Sequence, residues 1–221
     1  MNRTIFADPQ ALAAAAAQAF ATLALEAIAA RGAFYVALAG GSTPKIIYEQ
    51  LATLELPWAQ IQLFFGDERC VPPADPRSNY AMVSAALLTK VQIPSGNIHR
   101  IQTELDIAQA IRLYQAELEP VVFDLVHLGI GSDGHTASLF PATLNLESAE
   151  TVRQTFPTLG LEPQVPRISL GLGVINAARV KQFFVTGANK RPILERLSNF
   201  EDLPAARVLD AQWWLDEAAM E

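Results

Sequence analysis

Apolar residues in this chain follow two alternating rhythms. The runs Phe34 to Leu38, Ile61 to Phe65, Phe123 to Leu128, Arg167 to Leu172 and Lys181 to Thr186 have the length and the apolar or β-branched content of strands. Near Pro44 to Leu54, Asn79 to Leu88, Asp106 to Glu119 and Asn189 to Ser198, apolar positions instead return at the spacing of an amphipathic helix. The alternation predicts an α/β fold on a mostly parallel sheet. In such sheets ligands collect beyond the carboxyl ends of the strands, so the residues that follow each strand carry the functional reading.

The N-terminal segment needs separate treatment, because Ala11 to Ala30 is apolar and alanine-rich. Asp8 and Pro9 have the character of an N-cap and a first helical residue. Gln10, Gln18, Thr22 and Glu26 interrupt the uniform apolarity that a signal peptide or membrane span requires. Leu12, Ala16, Phe20, Leu23 and Ala27 recur at helical spacing, so a helix packed on the fold is expected. With 221 residues, 51% of them apolar, one sizeable core is expected over residues 1–221, as a single domain. The formal charge of −7, from 16 Lys+Arg against 23 Asp+Glu with no basic run, gives no footprint for nucleic acid. Cys70 is the only cysteine, which excludes an intrachain disulfide and a cysteine-built zinc site and suits a reducing cytoplasm.

Three polar segments follow predicted strands. The first is AGGSTPKIIYEQL, where Gly40 and Gly41 let the backbone pass close to a ligand, and Ser42 and Thr43 are placed to cap a helix that Pro44 enters. A helix start of this kind favours a phosphate, although an ordinary capped turn has the same composition. It is not a Walker A loop, since Lys45 follows Thr43-Pro44 where G-K-[ST] is required. The second is FFGDERCVPPADPRSNYAM, in which Asp67, Glu68 and Arg69 meet at a strand end, with a cap expected at Ser78 or Asn79. Three charges at a turn are commonly just solvated, but this turn and the glycine turn fall on one sheet edge, which favours a functional role for Asp67 and Arg69. Cys70, with no base to pair it, reads as a small buried hydrophobe.

The third segment, LGIGSDGHTASLFP, contains Gly129, Gly131 and Gly134 in the G-x-G-x-x-G spacing of a dinucleotide loop. That loop must open a long helix and be followed about 20 residues later by an acid at the end of the next strand. Here Pro141 comes 7 residues after Gly134, and Glu147 and Glu150 sit in a segment without strand character, so the dinucleotide reading fails. His135 is left to explain. If it lay near a helix N-terminus, the dipole would keep its imidazole neutral and able to take a proton from water; the alternative is a histidine that caps a turn. His127 falls inside a strand and reads as a core residue, His99 lies in a polar connection, and the three histidines lack metal-ligand spacing.

The segments LAGGSTP, FFGDERCVPPADPRSNYAM and LGIGSDGHTASLFP, in this order and continued by PRISLGLGVINAARVKQFFVTGANK and WWLDEAA, resemble the glucosamine-6-phosphate isomerase/6-phosphogluconolactonase family over nearly the whole chain. The chain departs from that pattern where RISLGL replaces a more threonine-rich strand and EPQVP a more proline-rich approach to Arg167. The resemblance, closest to the lactonase branch, implies a Rossmann-like three-layer α/β fold. It also implies hydrolysis of 6-phospho-D-glucono-1,5-lactone in the pentose phosphate pathway, in a cytoplasmic enzyme with no redox cofactor and no metal. The partner it implies is a small sugar-phosphate lactone, with no role for nucleic acid or membrane. The family's catalytic histidine falls on His135, and the charged pair of its GDER segment on Asp67 and Arg69. Asp67 would orient His135 or the substrate hydroxyls, and Arg69 would stabilise developing charge or hold the phosphate. The remaining phosphate contacts are expected from Gly41, Ser42 and Thr43 with Arg167 and Lys190, a solvated lysine being the alternative for Lys190. Within the same fold an isomerase or deaminase of sugar phosphates is the rival reading. A non-catalytic sugar-phosphate-binding regulator is the rival from another class.

Overall fold

The computed structural model describes residues 2–119, 121–141 and 149–220; Glu147 lies outside them. Strand β1 (Asn2–Phe6) leads to helix α1 (Pro9–Arg31), which begins as expected: Asp8 Oδ1 accepts from Ala11 N at 2.7 Å, and Pro9 enters the first turn. Gly32 ends the helix at φ +84°, a left-handed conformation that glycine adopts without a Cβ clash. The chain continues through β2 (Phe34–Leu38), α2 (Ser42–Leu51), β3 (Ile61–Phe65), β4 (Asp67–Arg69), α3 (Asn79–Val83), β5 (Ile98–His99), α4 (Ile107–Leu118) and β6 (Leu125–Leu128). After β7 (Val152–Thr155) come β8 (Arg167–Leu170), α5 (Leu172–Ala177), β9 (Val180–Val185), α6 (Arg191–Ser198), β10 (Gln212–Asp216) and α7 (Glu217–Met220).

Seven strands form a parallel sheet in the order β1-β10-β9-β6-β2-β3-β5. The expected strand at Arg167 is not part of it. Beyond Gly66 the chain turns out of β3 into β4, and β8 pairs antiparallel with β4 and β7 in a separate three-stranded sheet. Strands β1 and β10 were not expected. Four of the five residues of β1 are exposed, so it carries no apolar run to mark it. The helix expected at Asn79 to Leu88 is α-helical only to Val83, then widens into a π-helical turn over Ser84–Leu88.

Alternating side chains divide the large sheet into two buried faces. Phe34 packs edge-on against Phe20 of α1 (ring centroids 5.1 Å apart), and α2 lies beside α1 on this face. On the other face Phe64 meets Tyr114 of α4 (6.3 Å), Phe123 (5.3 Å) and the ring of His99 (4.1 Å). His99 is bonded at both nitrogens, to Glu117 and Gln62 at 2.8 Å each. Helix α1 is long and apolar enough by composition to cross a membrane. Here Leu12, Ala13, Ala16, Ala17, Phe20, Ala24 and Ala27 are buried, and the helix packs against β1, β2, β10 and α2.

His127 on β6 is the core residue its position predicts. It is enclosed by Phe20, Tyr48 and Phe184 at ring separations of 6.0, 5.9 and 4.9 Å. Its Nδ1 lies 3.4 Å from Tyr48 Oη, and its Nε2 has no hydrogen-bond partner. Burial pushes its pKa down to about 3. The unfolded chain takes up this proton below about pH 6.5, whereas the folded chain resists it until near the depressed value. Stability is therefore lost as pH falls through that window, by roughly 1.4 kcal/mol per unit. Between pH 7 and pH 5 the wild type should lose about 2 kcal/mol more unfolding free energy than His127→Phe, measured by urea titration. Equal losses would show that the folded protein accommodates the charged imidazole.

Candidate functional site

The strand order reverses between β2 and β6. From β2 the chain moves out through β3 to β5, and from β6 it moves the other way through β9 to β10. The crevice beyond their carboxyl ends is the expected ligand position in an open sheet of this kind. Two tyrosines fix its floor. Tyr48 Oη accepts from Ala39 N (2.9 Å) and donates to Ala39 O (3.1 Å), and Tyr114 Oη does the same with Phe65 N (2.9 Å) and Phe65 O (2.7 Å). Burial raises both phenol pKa values far above the ordinary range, so both remain neutral donors.

The crevice, about 260 Å³, is lined by Gly40, Gly41, Gly66, Asp67, Arg69, Gly131, His135, Arg167 and Lys190, among others. Of the expected site residues, Gly41, Asp67, Arg69, His135, Arg167 and Lys190 thus share one cavity. Ser42 lines an adjoining recess with Lys45, which also reaches Gly41 and Arg69. Thr43 does not line the cavity: it is buried, and its hydroxyl pairs with that of Thr186 at 2.7 Å. Neither Ser42 nor Thr43 caps α2 as expected. Gly41 is the N-cap at φ +109°, no side chain satisfies the first turn, and the helix offers its backbone N–H groups beside the cavity.

Each wall is built by residues outside the cavity. Asp67 is 6% exposed; its Oδ1 accepts from Asn79 Nδ2 (3.1 Å) and its Oδ2 from Ser138 Oγ (2.5 Å). Glu68 turns away from the cavity and accepts from Arg69 N, Asn79 N and Tyr80 N (2.7 Å each) and from Ser78 Oγ (2.9 Å). Burial raises its carboxyl pKa, and these four donors oppose the rise. Glu68 thereby anchors α3, which Ser78 caps by accepting from Ala81 N at 3.1 Å. Arg69 Nη1 donates to Arg77 O (2.5 Å) while its Nε is buried with no partner. Arg69 pairs with Arg167 across the antiparallel strands, and burial followed by the Arg69 charge lowers the Arg167 pKa. Cys70 is half-buried against the core and not fully buried as expected, and burial with the Glu68 charge pushes its thiol up to about 11.

No helix begins at the Gly129–Pro141 loop, so the dipole invoked for His135 is absent. A carboxylate takes its place beside the ring: Asp133 Oδ1 lies 2.6 Å from His135 Nδ1 and accepts from His135 N at 3.1 Å. Asp133, and not Asp67, is the residue that orients the imidazole. The only sequence signal for it is its position two residues before His135. The loop glycines have a different purpose from the dinucleotide fingerprint. A Cβ on Gly131 would stand 2.1 Å from His135 Nδ1 and Cε1, so the ring rests on bare backbone. Gly134, at φ +92°, would meet Leu203. Lys190 Nζ donates to Ile130 O (2.7 Å) over the same loop; burial lowers its pKa and Asp133 partly restores it. Among the described residues no group of three or more His, Cys, Asp or Glu is placed to hold a metal ion.

Comparisons with known proteins point to one family. A family model described as glucosamine-6-phosphate isomerases/6-phosphogluconolactonase matches residues 7–216. A 6-phosphogluconolactonase from a Nostoc species is 40% identical, with 99% of this chain and 98% of that protein covered. One from Synechocystis is 41% identical over 89% of this chain and 87% of its own length. The crystal structure of the Thermotoga maritima 6-phosphogluconolactonase superposes with a TM-score of 0.87 at 31% identity, covering 97% of this chain and 98% of that one.

The seat of the imidazole can be checked directly. Gly131→Ala should fold cooperatively yet lose or shift the downfield proton resonance of the His135–Asp133 hydrogen bond. Gly129→Ala, where a Cβ meets nothing within 4 Å, should retain it. An unchanged resonance in Gly131→Ala would mean that the ring does not rest on this glycine.

Proposed function

The chain belongs to the glucosamine-6-phosphate isomerase/6-phosphogluconolactonase family, and on that premise we propose how its cleft hydrolyses 6-phospho-D-glucono-1,5-lactone to 6-phospho-D-gluconate in the pentose phosphate pathway. The observation that carries the reading is the His135–Asp133 pair opening onto a cavity lined by Arg69, Arg167 and Lys190 in a chain of net charge −7. A lactone carbonyl needs an attacking water, a base for its proton, and positive charge or N–H donors where the oxyanion develops.

With Nδ1 engaged by Asp133, Nε2 is the His135 nitrogen left to accept the water proton. The water oxygen bonds to C1, the carbonyl electrons move onto the oxyanion, and Asp133 stabilises the imidazolium. Collapse of the tetrahedral intermediate breaks the bond from C1 to the ring oxygen. His135 returns its proton to that oxygen, giving the open-chain acid. Asp67, with both oxygens held by Asn79 and Ser138, is a fixed acceptor for substrate hydroxyls. Arg69, whose Nε is unpartnered, is assigned to the developing oxyanion. Arg167, Lys190 and the N–H groups at the start of α2, from Gly41 to Thr43, are assigned to the phosphate. In this role Thr43 contributes backbone only.

The same reading treats residues 1–221 as a single domain, supported by the extent of the family match and by one continuous buried core. It places a small sugar-phosphate lactone as the partner, with no part for nucleic acid or membrane, and the enzyme in the cytoplasm. The burial of one face of α1 against the sheet supports the absence of a membrane role.

If His135 is the base, His135→Asn should fold and bind product while losing about 10²- to 10⁴-fold in turnover, measured as acid release corrected for spontaneous hydrolysis, with glucosamine 6-phosphate assayed in parallel. Near-normal turnover would remove His135 from the chemistry. For the phosphate, Arg167→Ala and Lys190→Ala should each reduce the ratio of kcat/KM for the 6-phospho-lactone to that for unphosphorylated gluconolactone, at fixed ionic strength. Should neither variant change the ratio, the assignment of the phosphate to Arg167 and Lys190 is wrong and Arg69 becomes the leading candidate.

A further inference from the structure

The connection from β7 to β8 is a solvent-facing loop in which Leu159 is 93% and Phe156 63% exposed. One side chain between them turns inward: Thr158 Oγ1 donates to Asp133 Oδ2 at 2.7 Å. The two oxygens of Asp133 are thus divided, Oδ1 to the His135 ring and Oδ2 to the loop. The last torsion of an aspartate is broad and roughly two-fold, and a bond to Oδ2 narrows it further. The loop around Thr158 is itself fixed. Gln164 Nε2 donates to Thr158 O (3.0 Å) and Leu161 O (2.6 Å), and Arg167 Nη2 donates to Pro163 O (2.9 Å).

We infer that Thr158 is a positioning residue for the lactonase reaction, locking Asp133 in the orientation that aligns the His135 imidazole. The inference rests on His135 being the base. Burial alone would raise the Asp133 carboxyl; the bonds from His135 and Thr158 outweigh it and hold the group at about 2. The same loop carries Pro163, onto which Arg167 is bonded, so one segment supports both the base and a cation of the opposite wall. Other charges facing the pair are Lys190, which interacts with Asp133, Arg196 of α6, which reaches Ser132 O at 3.5 Å, and Asp67, Arg69 and Arg167 across the cavity.

Thr158→Val keeps the volume and deletes the donor. Without that donor Asp133 can turn away from the ring, and an imidazolium that loses its neighbouring anion is less favoured. The His135 ring, followed by NMR in the free enzyme, should therefore titrate at lower pH, and the acidic limb of kcat/KM should move the same way. Turnover should fall roughly 10-fold, in the range for one hydrogen bond to a charged group, with KM nearly unchanged. Thr158→Ser, which restores the hydroxyl, should recover wild-type values. An unshifted His135 titration in a folded Thr158→Val protein overturns the inference, as does a serine variant that behaves like the valine one. A shifted titration with undiminished turnover would instead refute His135 as the base, and the positioning role with it.

Discussion

In the middle of the large sheet β2 and β6 lie side by side, and the chain leaves them in opposite directions. That divergence is the constraint on which the site depends, because it opens a crevice at their carboxyl ends. Residues from separate parts of the sequence line the crevice: the Gly40-Gly41 turn, the Asp67–Arg69 strand, the His135 loop, Arg167 and Lys190. The tyrosine clamps at Ala39 and Phe65 satisfy the last backbone groups of two strands from the two opposite helix layers. The polypeptide can then depart from the sheet without leaving buried polar groups unpaired.

The electrostatics of the crevice are set by placement more than by composition. A chain with a surplus of carboxylates concentrates three cations at one mouth, and two of them, Arg69 and Arg167, face each other across paired strands. Like charges in that arrangement repel, and burial of Arg167 compounds the repulsion. Asp67 and Glu68 already offset part of that repulsion, and an anionic substrate would add to the offset.

The sheet was legible where strands are buried on both faces, as in FYVAL and IQLFF, since continuous apolar runs have no other economical use in a chain of this size. It was illegible at β1, whose NRTIF is mostly exposed, and at β7, whose VRQT alternates too briefly to signal a strand. His135 could be singled out from its setting, but the reason attached to it was wrong, because Pro141 and the glycines prevent the helix that a dipole would need. Thr43 read as a cap because helix starts are ambiguous by a few residues. Once α2 begins at Ser42, the Thr43 side chain turns toward Thr186 instead. Thr158 had no signal at all. Its contact with Asp133 exists only because β7 and β8 bring a distant loop back over the His135 turn.

The pairing of β4 with β8 acts as a reading frame for the cavity. With Asp67 opposite Ser169 and Arg69 opposite Arg167, alternate residues of β8 point to opposite sides. A single-residue deletion just after Arg167 that draws the strand forward by one place would move Arg167 into the Ile168 position and direct its guanidinium into apolar packing. Insertions in the long connections on either side leave the parity intact. Those connections can therefore change in length without moving Arg167 relative to Arg69, whereas the four residues of β8 cannot change in number.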